Sequence, residues 1–242
     1  MNRDEKIVFD FLKKTDGSNV VFEPNGNIPP DFIINSKIAI EVRRLNQHFF
    51  SKGKSEGLET LYFQLFGAFK EVLVPFDPIF SGKSYWVFLE FQRPFRKSIK
   101  IVIKEMQTAL SYFINSNYVS LPHAIQINES IELEIYDSSP IKRKIFRPGG
   151  SIDSDSGGFV VSTYLENIHH CIINKSEKIK FEKDKYKFWH LFLVDHLNLG
   201  LDFQDINDVK KMVDTLGEFD KVVLLNLNGE IIFEINNLQQ PF

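Results

Sequence analysis

Apolar and polar residues alternate with a period of two near the start of the chain, and this alternation predicts strands. Residues 20–46 contain three such segments, separated by short runs of residues that favour turns. The apolar members of the second and third segments occupy every other position: Phe32, Ile34, Ile38, Ile40 and Val42. The candidate catalytic and metal-binding residues of the sequence lie within this predicted meander.

The connection between the second and third strands determines which side chains share a face. If Asn35, Ser36 and Lys37 form a three-residue loop, the apolar residues stack on one face, and Asp31 lies opposite Glu41 on the other. A loop shorter by one residue would separate the two carboxylates, since a slip of one position turns a strand over. The hydrophobic pattern therefore favours the register that pairs them.

Two carboxylates on neighbouring strands repel each other unless a positive charge lies between them. Cross-strand neighbours lie about 4.5–5.5 Å apart at Cβ, which suits a shared divalent cation with oxygen ligands. Asp31 and Glu41 are accordingly the predicted metal ligands.

The same residues resemble the signature of the PD-(D/E)XK nuclease superfamily. Pro30-Asp31 is followed ten residues later by Glu41-Val42-Arg43, and Glu23 matches an upstream acid that many members carry. The resemblance implies that Asp31, Glu41 and the backbone carbonyl of Val42 bind Mg²⁺ or Mn²⁺. It also implies catalytic roles for Asp31, Glu41, Glu23 and Arg43, and a core that runs helix, three strands, helix, strand.

Arg43 departs from the family pattern, which has lysine at this position. Arginine stays protonated and donates through a planar fork, so Arg43 suits phosphate binding better than proton transfer. Two alternatives therefore stay open. Besides an active nuclease, the chain could be a catalytically degenerate nuclease-like fold that binds nucleic acid or protein, or an unrelated α+β domain in which the acids are incidental.

Helical spacing and further alternation predict the elements that follow. Helices are expected at residues 4–14, 56–73, 98–115 and 206–216, and the strand at residues 84–91 is expected to be the fourth strand of the nuclease-like core. Further strands are expected at residues 131–136 and 189–195, and a hairpin at 221–235 turned by Asn228-Gly229. Residues 148–158 are expected to form a loop, and the lysine-rich residues 174–187 a solvated element.

A basic cluster at the start of the third predicted helix is the candidate contact for a nucleic-acid backbone. Its members are Arg93, Arg96, Lys97, Lys100 and Lys104. A solvated helix face explains these charges equally well.

Composition narrows the class of protein. The 242 residues carry a net charge of −3, so nucleic-acid contact would depend on local patches. One cysteine excludes an internal disulfide and a multi-cysteine zinc site. No apolar run reaches the roughly 20 residues that span a bilayer, and the N-terminus lacks the features of a signal peptide, so the protein is expected in the cytoplasm and away from membranes.

The sequence thus predicts an α+β (α/β) fold with a central mixed β-sheet flanked by helices. We expect one domain over residues 1–242, with a restriction-endonuclease-like core at 1–116 and an extension at 117–242. The expected activity is metal-dependent hydrolysis of phosphodiester bonds in DNA or RNA.

Overall fold

The computed structural model describes residues 1–16, 19–26, 28–51, 54–116 and 120–237. Its α-helices are α1 Arg3–Asp16, α2 Leu58–Leu73, α3 Ile99–Asn115, α4 Val160–Ile179 and α5 Phe203–Met212. Its strands are β1 Val20–Phe22, β2 Phe32–Ile34, β3 Ile38–Leu45, β4 His48–Ser51, β5 Lys54–Gly57, β6 Ser84–Phe91, β7 His123–Asn128, β8 Ile131–Ser138, β9 Phe146–Asp153, β10 Phe188–Asp195, β11 Lys221–Leu225 and β12 Ile231–Asn236.

The chain divides into two compact units. The first comprises Met1–Gln47 and Gly157–Phe242, and the second is His48–Ser156, which is inserted between β3 and α4. This division differs from the expected core of residues 1–116, because residues 48–116 belong to the same compact unit as residues 120–156, whereas residues 1–47 belong to the other.

The first unit is built on a mixed sheet with the strand order β1-β2-β3-β10-β11-β12. Strands β1, β2 and β3 form an antiparallel meander, β10 lies parallel to both β3 and β11, and β12 closes the sheet in the antiparallel direction. This confirms the predicted α+β class with a mixed sheet flanked by helices. The final hairpin turned by Asn228-Gly229 is also confirmed.

Both faces of this sheet are buried, because helices cover each of them. Leu191 and Leu193 of β10 belong to the apolar cluster that contains residues of α4 and α5. Phe192 and Val194 belong to the cluster that contains residues of α1. A strand buried on both faces reads as a continuous apolar run, as β10 does.

The predicted register of the β2–β3 hairpin is confirmed. Ile34 lies opposite Ile38 and Phe32 opposite Ile40, as a three-residue connection requires. The pairing continues in the direction that places Asp31 beside Glu41.

The second unit contains a separate sheet with the strand order β7-β8-β6-β9, packed with α2 and α3. The prediction that residues 84–91 form the fourth strand of the first sheet is wrong. This strand, β6, pairs with β8 and β9, and the neighbour of β3 is β10. Residues 58–73 and 99–115 are helical as predicted, but they too belong to the second unit.

The predicted loop at residues 148–158 is also partly wrong, since β9 runs through its first half. Strand β9 lies parallel to β6, with a register shift beside Phe88. A Cβ atom on Gly149 would lie 2.5 Å from two atoms of the Phe88 ring. The absence of a side chain at Gly149 therefore leaves room for the Phe88 ring over β9. Among the described residues, no helix is long and apolar enough to cross a bilayer.

Gly149→Ala is expected to lower the free energy of unfolding by about 1–3 kcal/mol, because the added methyl group overlaps the Phe88 ring. Gly67→Ala is the matched control, since a Cβ on Gly67, within α2, meets nothing within 4 Å. That substitution is expected to add about 0.5–1 kcal/mol through helix propensity. Denaturant unfolding of the full chain measures both, and equal effects of the two substitutions would contradict the packing role of Gly149.

Candidate functional site

The two predicted carboxylates lie at the junction of β2 and β3, on the side of the sheet that α4 covers. Asp31 immediately precedes β2, and its Oδ2 accepts a hydrogen bond of 2.7 Å from the backbone N–H of Val42. Glu41 lies in the middle of β3 and is fully buried. Asp31 remains partly exposed, with 22% of its side chain accessible. The site thus has one buried and one accessible acid.

A lysine of α4 holds the pair together. The ammonium of Lys175 lies 2.5 Å from Oε2 of Glu41 and 3.7 Å from Oδ2 of Asp31. Because Oε2 of Glu41 and Oδ2 of Asp31 both lie near the same ammonium, the distance between these two oxygens cannot exceed the sum of the two distances. Lys178, one turn later, lies 3.9 Å from the same oxygen of Glu41 and remains half-exposed. Two acids and two cations of the described residues converge at this point.

Burial governs the electrostatics of Glu41. It raises the pKa of the Glu41 carboxyl above its ordinary value, the charge of Lys175 acts in the opposite direction, and the neighbouring charge of Asp31 raises it further. Only one of its two oxygens is satisfied. Oε1 of Glu41 is buried and has no hydrogen-bond partner among the described residues.

The donor set fits a hard divalent cation. Buried carboxylate oxygens are the ligands that Mg²⁺ and Mn²⁺ prefer, and Oε1 of Glu41 is a buried acceptor that lacks a donor. The carbonyl of Val42 is expected on the same edge of β3 as its N–H, which faces Asp31. Within the described ranges, no group of three or more His, Cys, Asp or Glu side chains could hold a metal. Any cation here would therefore depend on two carboxylates and the backbone.

Arg43 lies on the same face of β3 as Glu41, and its guanidinium also faces α4, where it contacts a different residue. It contacts the thiol of Cys171, whose pKa burial raises to about 11 while Arg43 lowers it in part. Nε of Arg43 is buried and has no hydrogen-bond partner in the described part of the chain. Arg43 is thus adjacent to the carboxylates, and Lys175 rather than Arg43 contacts them.

Glu23 is connected to the site through the backbone. Its N–H donates a hydrogen bond of 2.8 Å to the carbonyl of Asp31, while the residue itself is exposed and has a positive φ of 44°. No contact of the Glu23 side chain with Asp31 or Glu41 is found among the described residues. The backbone of Glu23 is therefore hydrogen-bonded to that of Asp31, but its side chain is not part of the Asp31–Glu41 pair.

The predicted nucleic-acid cluster is wrong for Arg93. Its side chain is buried and donates to Asp153 at 2.7 Å, to Asp155 at 3.2 Å and to the carbonyl of Leu58. This guanidinium is occupied by partners within the second unit and is unavailable to a phosphate.

The other members of that cluster lie at the surface. Arg96 pairs with Glu129 at 3.4 Å, and Lys97 pairs with Glu105. Lys100 and Lys104 are exposed on α3. All belong to the second unit, whereas Asp31 and Glu41 belong to the first.

Sequence reasoning missed Lys175, although a signal was present. The buried residues of α4 include Ile168, Ile172, Lys175 and Ile179, which follow one another at helical spacing. A lysine within an apolar stripe indicates a buried counter-charge, because an unpaired buried ammonium is too costly. Because residues 174–187 contain many lysines, they were interpreted as one solvated element, and the buried position of Lys175 was not recognised.

Lys175→Met is expected to destabilise the chain by about 3 kcal/mol at neutral pH, because it leaves the charge of Glu41 buried without its partner. Lys178→Met is the matched control, since Lys178 is half-exposed and farther from Glu41. It is expected to cost less than about 1 kcal/mol. Thermal or denaturant unfolding measures the difference, and similar losses would show that Lys175 does not neutralise Glu41.

Glu41 is also expected to make stability depend on pH. Because its folded pKa is raised, the folded chain binds this proton more tightly than the unfolded chain. Its contribution is fully present below the ordinary carboxyl pKa and is lost as the pH rises through the raised value. Glu41→Gln removes the titration and should flatten this part of the profile, whereas Asp10→Asn, at an exposed acid of α1, should leave it unchanged. Unfolding measured from about pH 4 to about pH 8 tests this, and an unaltered profile in Glu41→Gln would refute it.

The sequence matches no known family model, no curated protein is similar to it, and no solved structure matches the fold.

Proposed function

We propose that Asp31, Glu41 and Lys175 form the centre of a metal-dependent phosphodiesterase that acts on nucleic acid. The observation that carries the proposal is the convergence of two carboxylates, from adjacent strands, on one ammonium of α4. The resemblance to PD-(D/E)XK nucleases predicts a lysine beside the acidic pair. In this chain Lys175 supplies that charge from a helix, while the strand position holds Arg43.

The order of elements in the first unit supports the same proposal. Helix α1 precedes the meander β1–β3, and helix α4 precedes β10, which lies parallel to β3. This is the succession of helix, three strands, helix and strand expected of a restriction-endonuclease-like core. In the proposed core, α4 and β10 would take the places that residues 56–73 and 84–91 were expected to take, and the second unit would be an insertion.

Each residue has a distinct role in the proposal. Asp31 and Glu41, with the carbonyl of Val42, would hold Mg²⁺ or Mn²⁺. Such an ion lowers the pKa of a bound water and stabilises charge on phosphoryl oxygens. Lys175 neutralises the carboxylates in the free protein and offers its remaining N–H donors to a phosphate oxygen or to the attacking water. Lys178 is the nearest exposed cation for the backbone of the substrate.

The Lys175 contact also favours a second candidate function. An ammonium 2.5 Å from Oε2 of Glu41 neutralises this acid without a metal, as expected for a catalytically degenerate fold that binds nucleic acid or protein. Metal uptake separates the two functions.

Asp31→Asn and Glu41→Gln are expected to lower Mg²⁺-dependent cleavage of DNA or RNA at least about hundredfold. Both replacements keep the shape of the side chain, and Asp31→Asn retains an oxygen that accepts the Val42 N–H. The measurement combines Mn²⁺ calorimetry with cleavage of labelled single-stranded and duplex DNA and RNA. Asp10→Asn is the control for loss of one exposed carboxylate from the same unit.

Cleavage that persists in both variants would refute the enzymatic proposal. Failure of the unaltered chain to take up Mn²⁺ at millimolar concentration would favour the degenerate binding module instead.

A further inference from the structure

A cavity of about 460 Å³ lies within the second unit. It opens to solvent and is lined by the C-terminal end of α2, the 3₁₀ helix Val74–Ile79, β6 and the beginning of β9. Its volume lies in the range of small-molecule sites. Every lining residue belongs to the second unit, so the cavity is a property of that unit alone.

The charges of the lining are predominantly positive. Lys70, Lys144 and Arg147 contribute cations, and Asp77 contributes one carboxylate. Lys144 pairs with Asp77 at 2.5 Å. In the described ranges, neither Lys70 nor Arg147 forms an ion pair with a carboxylate. Two positive charges at the cavity therefore lack an anionic partner within the described part of the chain.

Arg147 is held in a fixed orientation by an aromatic ring. Its guanidinium lies 3.6 Å from the centroid of Trp86, and one nitrogen donates to Oγ of Ser138 at 3.2 Å. Stacking fixes the plane of the guanidinium but uses none of its N–H donors. Arginine has five such donors in a fork that matches phosphate, so Arg147 is preorganised to bind an anion.

The remaining wall is apolar. Val74 is 57% exposed although it is a large aliphatic residue, and it lines the cavity together with the half-buried Trp86. A flat apolar group would cover this surface while an attached anion reaches Arg147 and Lys70. Inorganic phosphate alone would leave the wall in contact with water.

We propose that this cavity binds a nucleotide, with its base against Trp86 and Val74 and its phosphate at Arg147 and Lys70. The same chemistry is available from a free mononucleotide and from one nucleotide of a single-stranded nucleic acid, because every base has a face that stacks on an aromatic ring. The site does not depend on the carboxylates of the first unit.

Tryptophan fluorescence tests the proposal directly. The chain has two tryptophans, and Trp189 is fully buried in the first unit, so a ligand at the cavity should alter only the emission of Trp86. Adenosine monophosphate, a ten-residue single-stranded oligoadenylate and inorganic phosphate are titrated separately into the full chain. Saturable quenching by the first two probes, with much weaker binding of phosphate, is the expected result.

Variants assign the effect to the proposed contacts. Lys70→Ala and Arg147→Ala are each expected to weaken binding about tenfold, with calorimetry as a readout independent of the Trp86 environment. Lys70 is exposed, so its variant is expected to fold. Lys83→Ala removes another exposed lysine of the same unit, outside the cavity, and should leave binding unchanged.

The outcomes also identify the source of the nucleotide. Binding of the mononucleotide identifies a free ligand, and binding of the oligonucleotide alone identifies a nucleic-acid strand. The proposal is overturned if neither probe gives saturable quenching at millimolar concentration, if phosphate binds equally well, or if both cavity variants bind as the unaltered chain does. None of these results bears on metal-dependent cleavage by Asp31 and Glu41.

Discussion

The buried pair of Glu41 and Lys175 is the interaction on which the first unit depends. It joins the central strand β3 to helix α4 across 134 positions of sequence, and the whole second unit lies within that interval. A carboxylate removed from water is costly unless an opposite charge compensates it. The strand can keep Glu41 in its buried position only when α4 has packed on the sheet, so the pair links the two separated parts of the chain.

The local part of the fold could be predicted because its determinants lie close together in the sequence. Period-two alternation and a three-residue connection were sufficient to fix the pairing of Phe32 with Ile40. The long-range part could not be predicted in this way. Residues 84–91 and 188–195 are both apolar on their two faces, and a parallel pairing leaves no local signal that identifies its partner. Chain order favoured the nearer strand, whereas β3 pairs with the one that follows the insertion.

The partners of charged residues in the candidate site also could not be predicted when they lie far away in the sequence. The two acids could be placed together because they belong to one hairpin, but the cation between them comes from a distant helix. Conversely, Arg93 was grouped with its neighbours in sequence as a surface patch, although Asp153 and Asp155, about sixty positions later, bury it. Counting charges within a segment describes a surface only when no distant residue neutralises them. Glycine-rich sequence was also misinterpreted: residues 148–158 were predicted to form a loop, but Gly149 lies in β9 and leaves room for the Phe88 ring.

We propose that Glu41 has more than a structural role. Replacing a buried ion pair by apolar residues of similar volume is often neutral or stabilising, so burial of a charge is weak evidence of stability. An unpaired buried acceptor also carries its full desolvation cost. Oε1 of Glu41 has no donor among the described residues, while the nearby Asp31 keeps part of its surface accessible. An unsatisfied oxygen beside an accessible acid leaves a position that a ligand could take, and this is the physical reason for proposing that the β2–β3 hairpin is functional, rather than the more conspicuous basic segments.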